Sequence, residues 1–162
     1  LEYKYTDIKL ENIILDKAGY IHLIDYGSLV KKDKPTKEYT QIYNINCWDI
    51  KYKYNYETSI LFSITMIMIS LIGQVEFNPI AYSLSQVINK IYKFPLKKNE
   101  KLFLINGLKG KYKSFDRYYN SLSELLYTGK SSNNLSKIDY ILIASIVSFA
   151  FIAFIGLKTI FH

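Results

Sequence analysis

The chain has 162 residues, a net charge of +7, and 49% apolar against 22% charged residues. That balance excludes wholesale disorder, and the length suits one domain with a real core. One Cys and two His residues, His22 and His162, exclude a disulfide-stapled scaffold and a Cys-based zinc site.

The first 27 residues hold short apolar runs broken by Asp, Lys, Asn and Gly. Ile13-Ile14-Leu15 predicts a strand, Asp16-Lys17-Ala18-Gly19 a turn, and Tyr20 to Ile24 a second strand. A hairpin folded there brings its open ends together, with Asn12 at one and Asp25 at the other. Asp7 and Lys9 lie in the loop just before Asn12. Two carboxylates, a carboxamide and an ammonium then converge, and hard oxygen ligands near a cation suit Mg²⁺ and phosphate. Gly27 is expected to let the backbone turn sharply after Asp25. His22, inside an apolar strand, reads as a packed or edge residue rather than a ligand.

Residues 28–57 are polar and weakly patterned, and Cys47 there reads as a reduced cytosolic thiol. The stretch Lys51 to Tyr56 alternates Lys and Tyr, a pattern that can bind single-stranded nucleic acid. However, Ile, Lys, Asn and Tyr together supply 71 of the 162 residues, which looks like AT-rich coding. The stretch is therefore read as a solvated loop or one facing anionic lipid, and no nucleic-acid partner is expected.

Residues 59–72, SILFSITMIMISLI, predict a helix buried at the centre of a soluble domain and ended by Gly73, rather than a membrane span. Three amphipathic helices follow. Asn78-Pro79 opens the first, with Ile80, Leu84, Val87, Ile88 and Ile91 on one face. Asn99 opens the next, with Leu102, Phe103, Ile105 and Leu108, and Ser114 opens the last, with Phe115, Tyr118, Leu122, Leu125 and Leu126. These stripes read as core.

Residues 128–139 read as a juxtamembrane linker. Tyr140 to Leu157 is an 18-residue run without charge, Pro, Asn or Gln. At ~1.5 Å per residue it reaches roughly 27 Å, close to the thickness of a bilayer core. It predicts a single-pass C-terminal transmembrane helix with the bulk of the chain on the cytoplasmic side, leaving a short tail at 158–162.

The segment Asp7-Ile8-Lys9-Leu10-Glu11-Asn12 resembles the D-x-K-x-x-N catalytic loop of eukaryotic-type Ser/Thr protein kinases, and Asp25-Tyr26-Gly27 resembles their D-F-G motif. The spacing and the intervening strand-turn-strand fit as well. The resemblance implies a mainly α chain with a short β-hairpin, a protein-kinase-like C-lobe over 1–127. It implies that Asp7 orients the acceptor hydroxyl and takes its proton, and that Lys9 neutralises the transferring phosphoryl. Asn12 and Asp25 would hold Mg²⁺, with Gly27 completing the ATP-binding motif. Further along, Thr40-Gln41-Ile42-Tyr43 resembles the T-x-x-Y of the substrate-binding loop.

The departures are informative. H-R-D reads Tyr5-Thr6-Asp7, and Thr6 cannot pair with an activation-loop phosphate. By the family's spacing, Cys47 falls on the A-P-E glutamate and Lys111 near its structural Arg partner, and the two losses together avoid one unpaired buried charge. Ser59 falls on the aspartate that supports the catalytic loop, while Asp49 or Glu57 could compensate for Cys47. No Gly-rich phosphate loop and no β3-type Lys occur, and residue 1 is Leu; both fit a chain whose N-lobe would precede it.

The resemblance thus implies the C-terminal part of a membrane-anchored Ser/Thr kinase, with ATP, Mg²⁺, a protein substrate and a lipid bilayer as partners. It implies that this chain alone is inactive, because half the ATP site is missing. The alternatives are a membrane-tethered pseudokinase that binds partners without transfer, supported by Thr6, Cys47 and Ser59, and a kinase-like small-molecule phosphotransferase. Retention of Asp7, Lys9, Asn12 and Asp25 together argues against the first, and Lys9 against the second.

Overall fold

Four short strands precede four helices in the chain, a mainly helical arrangement with two small antiparallel sheets. The computed structural model describes residues 3–31, 34 and 39–129. They fall into two compact units divided between Tyr39 and Thr40.

The first unit is all strand and loop. β1 (Tyr3–Tyr5) pairs antiparallel with β4 (Leu29–Lys31), with Tyr5 opposite Leu29. β2 (Ile13–Leu15) pairs with β3 (Ile21–Leu23), with Ile13 opposite Leu23 and Leu15 opposite Ile21. The hairpin forms where the sequence places it, though β3 is shorter than 20–24. Its turn is set by Asp16, whose Oδ1 accepts from the Ala18 and Tyr20 amides at 2.9 and 2.8 Å. Gly19 takes the left-handed conformation, φ +87°, that the turn requires.

The second unit is built around α1 (Tyr56–Gly73). Asn55 caps it through its Oδ1 and the Thr58 amide, 2.8 Å. Phe62, Met66, Ile67 and Ile69 are completely buried, so the helix is core, in keeping with its mostly apolar sequence. It is also long and apolar enough to cross a membrane. α2 (Leu84–Ile91), α3 (Lys98–Leu108) and α4 (Phe115–Gly129) follow, and α3 and α4 pack on α1. Ser114 caps α4 as predicted.

Boundary expectations change at three helices, and at α3 the change is small: it opens at Lys98, after Lys97, rather than at Asn99. α2 opens at Leu84, not at Pro79, because Ser83 and Gln86 form a reciprocal capping box while Asn78 closes a turn onto the Ile80 amide. Ile80 is therefore 83% exposed rather than core, and Leu102 is likewise exposed. The left-handed residue that ends α1 is Gln74, φ +50°, one place after Gly73. The run at 140–157, the linker beyond 129 and the tail lie outside the described residues.

Candidate functional site

The site residues named from the sequence all belong to the first unit, and its two ladders position them. The β1–β4 pairing brings the start of the 6–12 loop beside the 25–28 turn. Thr6 donates to the Ser28 carbonyl twice, through its amide at 3.2 Å and its hydroxyl at 3.0 Å. Thr6 thus braces the loop against the segment after Asp25. From the other side, the Ile24 amide donates to the Asn12 carbonyl at 2.9 Å, extending the hairpin to its open end.

Asp7 is buried, with 4% of its surface exposed, and its Oδ2 receives the Lys9 ammonium at 2.8 Å. That bond holds the Lys9 pKa above its ordinary value, so the ammonium stays charged. Asn12, also buried, donates its amide to the Asp7 backbone carbonyl at 3.0 Å and so fixes the loop that presents the Asp7 side chain. The bond uses the Asn12 Nδ2 and leaves its Oδ1 as a potential ligand oxygen.

Asp25 is exposed and left-handed, φ 69° and ψ 73°, a conformation that Asp tolerates better than most residues. Its Oδ1 accepts from the Gly27 amide at 3.1 Å. Gly27 matters for space rather than for a positive φ: a Cβ there would come within 3.0 Å of Asp25 Oδ1. The backbone does turn directly after Asp25, through Tyr26–Ser28, without a positive φ at Gly27.

The residue that sequence reasoning passed over is Tyr5. Its hydroxyl, buried between the two loops, donates to the carbonyls of Asp25 and Ile24 at 3.1 and 3.3 Å and sits 3.5 Å from Asn12 Nδ2. Burial pushes its pKa up, which keeps it a donor. One phenol therefore ties the Asn12 loop to the Asp25 turn. The available signal was the departure itself, Tyr5 at the first position of the Y-T-D triplet.

The donor set suits a divalent cation of the nucleotide type. Such a site needs only one or two protein oxygens, with phosphates and water completing the shell. Asn12 Oδ1 and Asp25 Oδ2 accept no hydrogen bond among the described residues and can serve. No group of three or more His, Cys, Asp or Glu ligands occurs among the described residues, so a dedicated all-protein metal cage is not what these residues build.

Other positions singled out from the sequence serve structure. Tyr43 is buried and its hydroxyl donates to Glu76 Oε1 at 2.6 Å, while Ser63 bonds the Tyr43 carbonyl. Ser59 donates to the Tyr56 carbonyl at 2.8 Å, within its own helix. Glu57 does not replace the carboxylate missing at Cys47. Its Oε2 accepts from the Phe115 amide at 2.9 Å and caps α4. Lys111 and Asp49 are exposed, and Cys47 is half-buried, with its thiol pKa raised by burial.

His22 is exposed on the hairpin and lies 2.8 Å from Asp16 Oδ2. That contact and the two turn amides lower the Asp16 pKa. A carboxyl depressed by folding contributes stability above its ordinary value of about 4, and the contribution is lost as pH falls through the lower folded value. Protection of the Ala18 and Tyr20 amides, relative to their intrinsic exchange rates, is therefore expected to fall only below about pH 4, roughly the unfolded value. Protection already lost at pH 5 would show that Asp16 does not set the turn.

No protein-family model matches the chain. The chain is 30% identical over 113 residues to the Serine/threonine-protein kinase YabT of Bacillus subtilis (strain 168), which covers 69% of this chain and 33% of that protein. The chain spans about a third of the length of this relative, and the relationship it supports is a kinase-like one.

Proposed function

We propose that this chain is the C-terminal part of a membrane-anchored Ser/Thr protein kinase that moves the ATP γ-phosphoryl group to protein hydroxyls. The observation that carries the reading is the buried Asp7 carboxylate held by Lys9, on a loop tied through Asn12 and Tyr5 to the Asp25 turn. Similarity to a bacterial Ser/Thr kinase adds to it.

In this reading an acceptor hydroxyl reaches Asp7 and gives up its proton there. Lys9, held at Asp7 by their ion pair, turns to the transferring phosphoryl, where an ammonium is cationic at neutral pH even without that partner. Asn12 and Asp25 would hold Mg²⁺, which supplies charge neutralisation on the nucleotide when bound. Gly27 keeps space beside the Asp25 carboxylate. The run at 140–157 would anchor the protein in a bilayer, with the kinase-like part on the cytoplasmic side.

A second reading, a pseudokinase module without transfer, is favoured by one observation: Thr6, at the position of the family's Arg, spends its hydroxyl on the Ser28 carbonyl and offers no cation to an activation-loop phosphate. Incubation of the full-length protein with labelled ATP and Mg²⁺ separates the two. Transfer to protein substrate or to itself is expected from the full-length protein and none from these 162 residues alone. ATP-dependent thermal stabilisation of the full-length protein without transfer would support the pseudokinase. Transfer or ATP hydrolysis by the isolated chain would contradict the division of the ATP site between this chain and a preceding lobe.

A further inference from the structure

We propose that Thr6 is a positioning residue for the metal site: its hydroxyl holds the Asp25 turn in the left-handed geometry from which the Asp25 carboxylate would reach Mg²⁺. The proposal rests on the reading above in which Asp25 holds the metal, and adds to it the residue that sets the Asp25 backbone.

Asp25 takes φ 69° and ψ 73°, and among the described residues Gln74, at the end of α1, is the other non-glycine residue with a positive φ. An L residue keeps that conformation where its surroundings over-determine it. The turn's own bonds are modest. The Gly27 amide donates to Asp25 Oδ1 at 3.1 Å, and the Ser28 hydroxyl donates to the Asp25 carbonyl at 3.4 Å, long for a hydroxyl. Two adjacent residues, the last of β1 and the one after it, add to them. Tyr5 grips the entry of the turn, at the Ile24 and Asp25 carbonyls. Thr6 grips its exit, with its hydroxyl 3.0 Å from the Ser28 carbonyl, the shortest of these bonds.

The sheet does not require that hydroxyl. The Thr6 amide already donates to the same carbonyl at 3.2 Å and carries the β1–β4 pairing one residue further. A β-branched side chain without a hydroxyl would continue the strand equally well. A carbonyl oxygen has two lone pairs, and the second donor fixes the Ser28 peptide that closes the turn. Asp7 is fixed by a different bond, from the Asn12 amide to its backbone carbonyl. Loss of the Thr6 hydroxyl therefore releases Asp25 and leaves Asp7 in place. A Mg²⁺ site with one or two protein oxygens depends on the placing of each, so metal affinity falls before the chemical step does.

The test uses the full-length protein with Thr6→Val, which keeps the size and branching of Thr, and Thr6→Ser, which keeps the hydroxyl. Hydrogen exchange at the Gly27 and Leu29 amides, which bond Asp25 Oδ1 and the Tyr26 carbonyl, reads the turn in protein free of metal and nucleotide. Mg²⁺ titrations at fixed ATP, followed by thermal stabilisation and by transfer, read the metal site. One neutral hydrogen bond corresponds to about a fivefold change in an equilibrium. Thr6→Val is expected to speed exchange at the two amides, and to raise the Mg²⁺ concentration for half-maximal stabilisation, by about that factor. Its transfer rate at saturating Mg²⁺ should stay within about twofold of the parent, and Thr6→Ser should follow the parent throughout. Exchange and Mg²⁺ dependence unchanged in Thr6→Val would overturn the proposal. A loss of transfer in Thr6→Val that is equal at every Mg²⁺ concentration would also overturn it, because a merely structural bond acts that way. A parent that Mg²⁺ and ATP do not stabilise, and that transfers nothing, would overturn the metal reading beneath the proposal. The exchange rates of parent and Thr6→Val would then still decide whether the hydroxyl holds the turn.

Discussion

Asp7→Asn in the full-length protein is expected to lower phosphoryl transfer by roughly 10²–10⁴-fold while leaving MgATP binding within a few-fold, since general-base contributions are of that size. The substitution is close to isosteric. The bond that shapes the loop runs from Asn12 to the Asp7 backbone carbonyl, which the variant keeps. What it removes is the carboxylate that receives Lys9 and, in the proposed reaction, the acceptor proton. With that partner gone, the Lys9 pKa returns toward its ordinary value but stays far above neutrality, so Lys9 remains a cation. Asp25→Asn should behave differently, losing nucleotide-dependent stabilisation along with transfer, because Asp25 would act through the metal. Thermal shift with MgATP and transfer rates on the two variants separate these patterns. An Asp7→Asn protein that transfers within about threefold of the parent would remove Asp7 from the chemistry, since a positioned base contributes far more than that.

The parts of the site legible in the sequence are those whose signal is local. The hairpin was readable because Asp16 and Gly19 form a turn whose geometry they dictate, and its register then places Asn12 and Asp25 at the same end. Tyr5 was not readable, because its bonds reach carbonyls 19 and 20 residues away that no local pattern announces. Thr6 was read for what it lacks, an Arg charge, whereas its hydroxyl bonds Ser28 across the ladder.

Among the helices, the long apolar run located α1 and the periodic stripes located α3 and α4, but α2 shows competition between two start signals. Asn78-Pro79 and Ser83 with Gln86 are both N-terminal signatures, and the capping box prevails because it satisfies donors reciprocally. The box was present in the sequence and outranks the Asn-Pro pair on physical grounds. Glu57 illustrates the reverse case. As a free carboxylate it looked like a substitute ion-pair partner, yet the fold uses it on the unsatisfied amides opening α4, 58 residues on.

Gly107→Val is expected to be the most destabilising single change in the helical unit. Gly107 is buried where α3 crosses α1 over Thr65, itself fully buried. A Cβ at 107 would overlap Thr65 Oγ1 and approach its Cγ2 and Cβ to 2.8 and 3.0 Å. Thr65 cannot rotate away freely, because its hydroxyl donates to the Leu61 carbonyl at 2.6 Å and meets the Tyr118 hydroxyl at 3.2 Å. Tyr118 is in turn packed on Phe103 and bonded to Met68 Sδ, so α4 is held by the same contact. Overpacking of this kind costs about 1–3 kcal/mol and sometimes more, against a helix-propensity gain under 1 kcal/mol for Val over Gly. In a unit of this size each kcal/mol lowers Tm by about 4–8 °C, so a fall on the order of 10 °C is expected. Gly107→Ala should fall less, and Thr65→Ala should recover part of the Gly107→Ala loss, because the two positions compete for one volume and their effects cannot be additive. A Gly107→Val protein that melts with the parent would mean that α1 and α3 separate at this crossing without cost, and the close approach of the two helices would then not be what holds the unit together.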